Sequence, residues 1–275
     1  MTRRKTRCGE AAAGFTLVEI AIVIFILGIL RAGLIGPVEV QMEARDRRAT
    51  MDLMEDALDA LYGYALTNGA LPCPDDDGNG TPDPPFDPSD PTTADCDVGT
   101  NNGFLPWAEL GVARGDAWGN RFTYRVRHRE FTLPAQDGSC NGNTADEFDL
   151  CSTGNITITT RGDDSSTSGT VEGKFAFPAV TQTNVAAVIV SHGRNGFGAT
   201  SVDGVARPAV PAANDDEDAN ADDDENFVSR NYSREQNGCA DDNDESTPLC
   251  EFDDIVMPVS RTILNSRMVA AGQLP

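Results

Sequence analysis

An α+β fold is expected from three features of the chain: a long N-terminal helix packed on a small antiparallel sheet with long, disulfide-clipped loops. Residues 15–36 are almost continuously apolar, and a helical stripe resumes after Pro37. Short strand-like runs lie at 122–126, 155–160 and 185–191. Six cysteines after residue 70 sit in stretches rich in Gly, Asn and Asp. The 275 residues suit one or two modest domains. A net charge of −23 gives an acidic surface, which excludes nucleic acid as a partner because phosphate binding needs a basic face.

The first element is a basic leader. Residues 1–14 carry Arg3, Arg4, Lys5 and Arg7 against Glu10. The following run, 15–36, would measure about 33 Å as a helix at 1.5 Å per residue. That is enough for a hydrocarbon core of about 30 Å. With a basic flank it predicts a single inner-membrane span with the remainder in the periplasm. A cleaved secretory signal is disfavoured, because residues 31–37 read RAGLIGP and offer no A-x-A site. A plain anchor leaves Glu19 unexplained, since a carboxylate deep in a span costs roughly 2.5–3.5 kcal/mol.

The second element is the helix's amphipathic continuation, residues 37–69. Met51, Met54, Leu58, Leu61 and Ala65 form one apolar stripe, and charged residues from Glu43 to Asp59 fill the other faces. Gly69 and Pro72 supply the stop. A stripe of this kind packs on a sheet. Residues 70–275 then form the globular domain. Its loop 71–97 holds seven prolines and eight aspartates in 27 residues, which forbids a helix or a central strand. The second acidic stretch, 214–226, reads as a loop that is solvated, or disordered without a counterion. A short amphipathic helix is expected after Pro258.

Gly14-Phe15-Thr16-Leu17-Val18-Glu19, between a basic leader and an apolar run, resembles the processing signal of the type IV pilin family. The resemblance implies cleavage between Gly14 and Phe15 by prepilin peptidase and methylation of the new Phe15 amino group. It implies partners: the peptidase, an inner-membrane assembly platform, and other pilin or pseudopilin subunits met through the N-terminal helix. Glu19 is expected to meet a neighbour's N-terminus, as a register device for assembly. The expected product is a structural, non-catalytic subunit of a type IV pilus or type II secretion pseudopilus. It would lie in the inner membrane before assembly and in a periplasmic or extracellular filament afterwards. The long decorated loops suit a minor subunit. Arg31 departs from the family's apolar pattern, and either reaches the headgroups or contacts a partner subunit. Cleavage would leave 17 basic and 43 acidic residues, a net charge of −26.

Two later stretches are similar to major pseudopilins of type II secretion. Gly115-Asp116-Ala117-Trp118-Gly119-Asn120 resembles their D-P-W-G-N motif, with Ala117 at the proline. Val190 to Gly196 resembles their S-L-G-x-D-G loop, with Asn195 at the aspartate, which weakens any transfer of the pseudopilin calcium site.

The candidate chemistry beyond processing is modest. Cys73, Cys96, Cys140, Cys151, Cys239 and Cys250 allow fifteen pairings; proximity favours 73–96, 140–151 and 239–250, with pairings that cross between loops left open. Each clip would stabilise by roughly 3 kcal/mol. No cofactor is required, but Asp75, Asp77, Asn79 and Asp83 have the spacing of a calcium loop. Position 12 of that pattern is Phe86, so the site is incomplete unless another loop adds oxygen. Residues 215–225 are the second calcium candidate. Ser191 and His192 are adjacent, which points them to opposite sides of a strand and disfavours a catalytic triad. An alternative to the filament subunit is a membrane-anchored or pilus-tip binding module using acidic, calcium-dependent loops.

Overall fold

The computed structural model describes residues 16–87, 96, 102–127, 129–134, 147–154, 156–159, 185–222, 225–234, 237–241 and 247–274. In the N-terminal helix the side chains of 28–39 are outside that description. Gly14, Phe15, Cys140 and the Arg31 side chain therefore lie outside it too. The chain divides into two compact units, residues 1–45 and 46–275.

The first unit contains the start of α1 (Leu17–Asn68). Its described apolar side chains, 17–27, are all exposed. The expected single-pass membrane anchor is corrected here: among the described residues no helix is long and apolar enough to cross a membrane.

The second unit is a mixed helix and sheet structure. Its sheet has four antiparallel strands in the order β1-β2-β4-β6: β1 (Asn102–Phe104), β2 (Thr123–Val126), β4 (Val185–Ser191) and β6 (Ile255–Ser260). A two-stranded parallel sheet pairs β3 (Thr157–Thr159) with β5 (Asn226–Val228). Among the described residues the helices after α1 are α2 (Trp107–Leu110), α3 (Asp215–Ala221) and α4 (Arg261–Ala271).

The apolar run of β4 is buried on both faces, and the strand's period of two sorts it. Ala187 and Ile189 join the core made with Met54, Ala57, Leu61 and Ala65 of α1 and Leu264 and Met268 of α4. Val188 and Val190 turn to the other side and pack with Ile156 and Phe227. The stripe expected on α1 is shifted: Met54, Leu61 and Ala65 are buried, Leu58 is half-buried, and Met51 is exposed while Ala57 takes the inward place. Gly69 ends the helix at φ +82, a left-handed turn that favours glycine, and its N–H bonds Ala65 O at 2.8 Å.

The expected strands at 122–126, 155–160 and 185–191 are present, as is the helix after Pro258. Pro258 lies within β6, which is tolerated because β6 is an edge strand. The second acidic stretch is not simply a solvated loop. Residues 215–221 form α3, with Asp216, Glu217 and Asn220 buried. Cys73–Cys96 and Cys239–Cys250 are disulfides. Cys151 is disulfide-bonded as well, and the proposed 140–151 pairing lies outside the described residues.

Candidate functional site

Four polar centres hold the residues singled out by the sequence. At the start of α1, Thr16 and Glu19 form a reciprocal cap. Thr16 N and Thr16 Oγ1 donate to Glu19 Oε2 at 3.0 and 2.9 Å, and Glu19 N donates back to Thr16 Oγ1 at 3.3 Å. This is a capping box, so Glu19 has a local partner in the isolated chain.

The acidic loop 75–83 is the second centre. Asp75 is buried, and its carboxylate accepts from Gly78 N at 2.7 Å, Asn79 N at 3.1 Å and Gly80 N at 2.7 Å. Asp77 accepts from Asn79 N at 2.9 Å, Asn79 Oδ1 from Thr81 N at 2.7 Å, and Asp83 from Asp76 N at 2.9 Å. Gly80 is at φ +95, and a Cβ there would stand 2.6 Å from Trp107 Cε2, so the turn needs glycine twice over. One oxygen each of Asp75, Asp77 and Asp83 lies within 4.8 Å of the others. Three of the four expected ligands, Asp75, Asp77 and Asp83, are thus brought together, but Asp75 already spends its oxygens on the loop's own amides. Burial raises its pKa despite those bonds.

The third centre is the corner made by residues 115–120 and 191–196. Asp116 Oδ1 accepts from Trp118 N and Asn120 N at 3.0 and 2.8 Å, and Asp116 Oδ2 accepts from Ser191 Oγ at 2.8 Å. Ala117 N reaches Thr50 Oγ1 of α1 at 3.1 Å, and Asn120 Nδ2 donates to Gly193 O at 2.9 Å. This motif therefore ties α1 to the sheet and to the following loop. Burial is the main reason that Asp116 has a raised pKa. Ser191 is committed to Asp116, while His192 Nε2 meets Thr123 Oγ1 at 2.9 Å.

The fourth centre was only half visible in the sequence. Glu217 of α3 meets Asp253 and Asp254, which immediately precede β6; all three are buried, with one carboxylate oxygen from each within 4.8 Å of the others. Asn195, the position at which the resemblance expects an aspartate, is an amide donor here, at 3.0 and 3.1 Å from the Glu217 oxygens. Burial pushes Asp253 up to about 6 and raises Glu217 and Asp254. Burial lowers His192 to about 4, so its ring is neutral near pH 7. Glu217 belongs to the second calcium candidate; Asp253 and Asp254 were missed. The signal that could have found them is the adjacent acidic pair just before the strand-like run 255–260.

Comparison with known proteins finds no matching family model, no matching curated protein and no matching solved structure.

Proposed function

We propose that the chain is a structural pilin-like subunit, cleaved by prepilin peptidase between Gly14 and Phe15 and assembled into a type IV pilus or type II secretion pseudopilus, as a minor subunit. The observation that carries this reading is Gly14-Phe15-Thr16-Leu17-Val18-Glu19 leading into an apolar helix start exposed on every side. Leu17 is 87% exposed, Val18 66% and Phe25 68%. A helix that is apolar all round needs cover, and like helices of neighbouring subunits provide it. In this reading α1 is one long helix: its first half packs in the filament and its second half carries the domain. Glu19 changes partner on assembly, from Thr16 to a neighbour's amino terminus.

Glu19→Gln separates the two roles, because Gln also completes a capping box. The mutant should be cleaved and methylated normally, with mass spectrometry giving a mature start at a methylated Phe15, but should be depleted from sheared filaments. A mature protein starting elsewhere overturns the processing, and wild-type incorporation of the mutant reduces Glu19 to a cap.

A second reading is favoured by the gathering of Asp75, Asp77 and Asp83: a binding module whose acidic loops act with calcium. Deletion that leaves filaments intact but abolishes a calcium-dependent binding activity would favour it.

A further inference from the structure

We propose that a pocket beside the Cys239–Cys250 disulfide binds one small organic ammonium ion, a compact aliphatic group that carries a protonated amine. The proposal is independent of filament assembly. The pocket has a volume of about 110 Å³. Phe197, Pro211, Ala213 and the disulfide make its apolar wall, and Asn214 and Glu251 make its polar end. The segments that form the walls are fastened to one another. Gly198 N donates to Pro208 O at 2.9 Å, Asn214 N to Pro211 O at 2.9 Å, and Asp241 N to Ala213 O at 3.1 Å. Asn195 Oδ1 receives Phe197 N at 3.0 Å, which sets the turn that carries the ring. Gly198 is at φ +74, and a Cβ there would fall 2.5 Å from Ala221 Cβ, so this turn closes on α3 only with glycine. The cavity is built by the fold itself, as small-molecule sites usually are.

The polar end calls for a donor. Asn214 is 3% exposed, and its Nδ2 is spent on Glu217 Oε2 at 2.8 Å and Glu251 O at 2.9 Å. Two acceptors on that nitrogen fix the orientation of the amide, and its Oδ1 has no hydrogen-bond partner among the described residues. A buried amide oxygen is rarely left unmet, and this one belongs to a residue of the pocket wall. The other polar group there, Glu251, is a carboxylate. After burial, the main cause, its charge helps to raise the Glu217 and Asp253 carboxyls, so the local field is negative. No basic side chain lines the pocket among the described residues. Arg230 donates to Cys250 O at 3.1 Å, but its charge is taken up by Asp216 at 2.6 Å and Asp241 at 3.2 Å.

Size and charge choose the ligand. A cavity of ~150 Å³ takes benzene, so this one takes about four or five non-hydrogen atoms. An acceptor oxygen beside a carboxylate favours an N–H donor that carries a positive charge, because the charge-assisted bond is the stronger one. The carbon part of the ligand covers Phe197, Pro211, Ala213 and the sulfurs, which a bare metal ion would leave wet. A carboxylate ligand would meet Glu251 as a like charge. The chain's net charge of −23 acts in the same direction, drawing organic cations to the surface and repelling anions.

The test uses the full chain with isobutylammonium as the probe, followed by saturation-transfer NMR. The probe should bind about tenfold more tightly than isobutanol, its neutral isostere, because a charge-assisted hydrogen bond is worth roughly one decade of affinity. Isobutyrate should not bind, and tetramethylammonium, a cation without an N–H, should bind more weakly than the probe. Ala213→Leu fills the cavity and should abolish binding. Glu251→Gln should remove most of the preference for isobutylammonium over isobutanol. Asp75→Asn with Asp77→Asn, which removes acidic charge elsewhere, should leave binding unchanged. Melting curves without the probe establish that the variants fold. Should they not, hydrogen exchange on wild type decides: isobutylammonium should protect residues 195–198, 213–214 and 250–251. No binding of isobutylammonium, equal binding of isobutanol, binding that survives Ala213→Leu, equal loss in the Asp75/Asp77 double variant, or protection confined to other segments would each overturn the proposal.

Discussion

The two acidic regions of the globular unit solve the same electrostatic problem in opposite ways. In the 75–83 loop, carboxylates and amides come from one short segment. Asp75 folds back onto Gly78, Asn79 and Gly80, and the negative charge is spread over backbone N–H groups beside it in sequence. In the Glu217–Asp253–Asp254 cluster, the acids come from segments about 36 residues apart, the donors are mainly side-chain amides, and acceptors are left over. A loop that satisfies itself can be stable without an ion. A cluster assembled by tertiary packing depends on donors brought from elsewhere in the chain, Asn195, Asn214 and Asn220.

The largest effect that would separate the two is loss of Asp75. Asp75→Ala removes the acceptor from two buried backbone N–H groups that have no described replacement; Asn79 N keeps Asp77. At roughly 2 kcal/mol per orphaned donor the cost should be about 4 kcal/mol. Asp77→Ala, on an exposed side chain, should cost about 0.5 kcal/mol. Urea denaturation with and without calcium reads both. If the Asp75→Ala penalty appears only when calcium is present, the loop is an ion site and the contrast collapses.

The same contrast explains what could be read from the sequence. The apolar run of β4, the alternation around Tyr124 and the helix after Pro258 are local patterns, and each appears in the structure. So do the two described disulfides between neighbouring cysteines and the gathering of Asp75, Asp77 and Asp83. Glu217 looked solvated, because a run of acids one after another carries no sign of which face will be buried. Only the helical turn of α3, set by packing, turns Asp216, Glu217 and Asn220 inward. Asp253 and Asp254 are an adjacent acidic pair in the sequence, but it is the long-range pairing of β6 with β4 that brings them to Glu217. The membrane span expected from the apolar run 15–36 is not found: among the described residues no helix is long and apolar enough to cross a membrane.

A middle-sized effect compares the clips that accompany the two regions. Cys73–Cys96 closes a separation of 23 residues beside the first acidic loop, and Cys239–Cys250 one of 11 beside the second. Replacing either pair with serine should cost about 3 kcal/mol in the chain-entropy model. The difference lies in loop length: the Cys73–Cys96 separation is about double, so its loss should be the larger by about 0.6 kcal/mol. Urea midpoints of the two variants read this, and an equal or reversed order would show that loop length does not decide what each clip contributes.

The smallest effect comes from Asp116, a buried carboxylate that stands alone. Its partners include the Trp118 and Asn120 amides and the Ser191 hydroxyl, and its pKa is raised from 3.8 chiefly by burial. A single carboxylate in such a place can relieve its charge by taking a proton, whereas three together cannot all do so without losing acceptors they need. The sign follows from linkage. A carboxyl whose folded pKa lies above its unfolded value binds more protons in the folded state. Its favourable contribution is complete below about 4, the unfolded carboxylate range, and fades as pH rises through the folded value. Asp116→Asn keeps the oxygen that receives Trp118 N and Asn120 N, and presents an N–H₂ group to Ser191 Oγ, which can accept. The variant should therefore lose that part of the pH dependence. Its melting temperature relative to wild type should climb as pH is raised from 4, and calcium should not alter the slope of the difference. Parallel curves for the two proteins, measured in chelator, would show that Asp116 is ionised in the fold and that burial alone does not decide which acids in this molecule hold a proton.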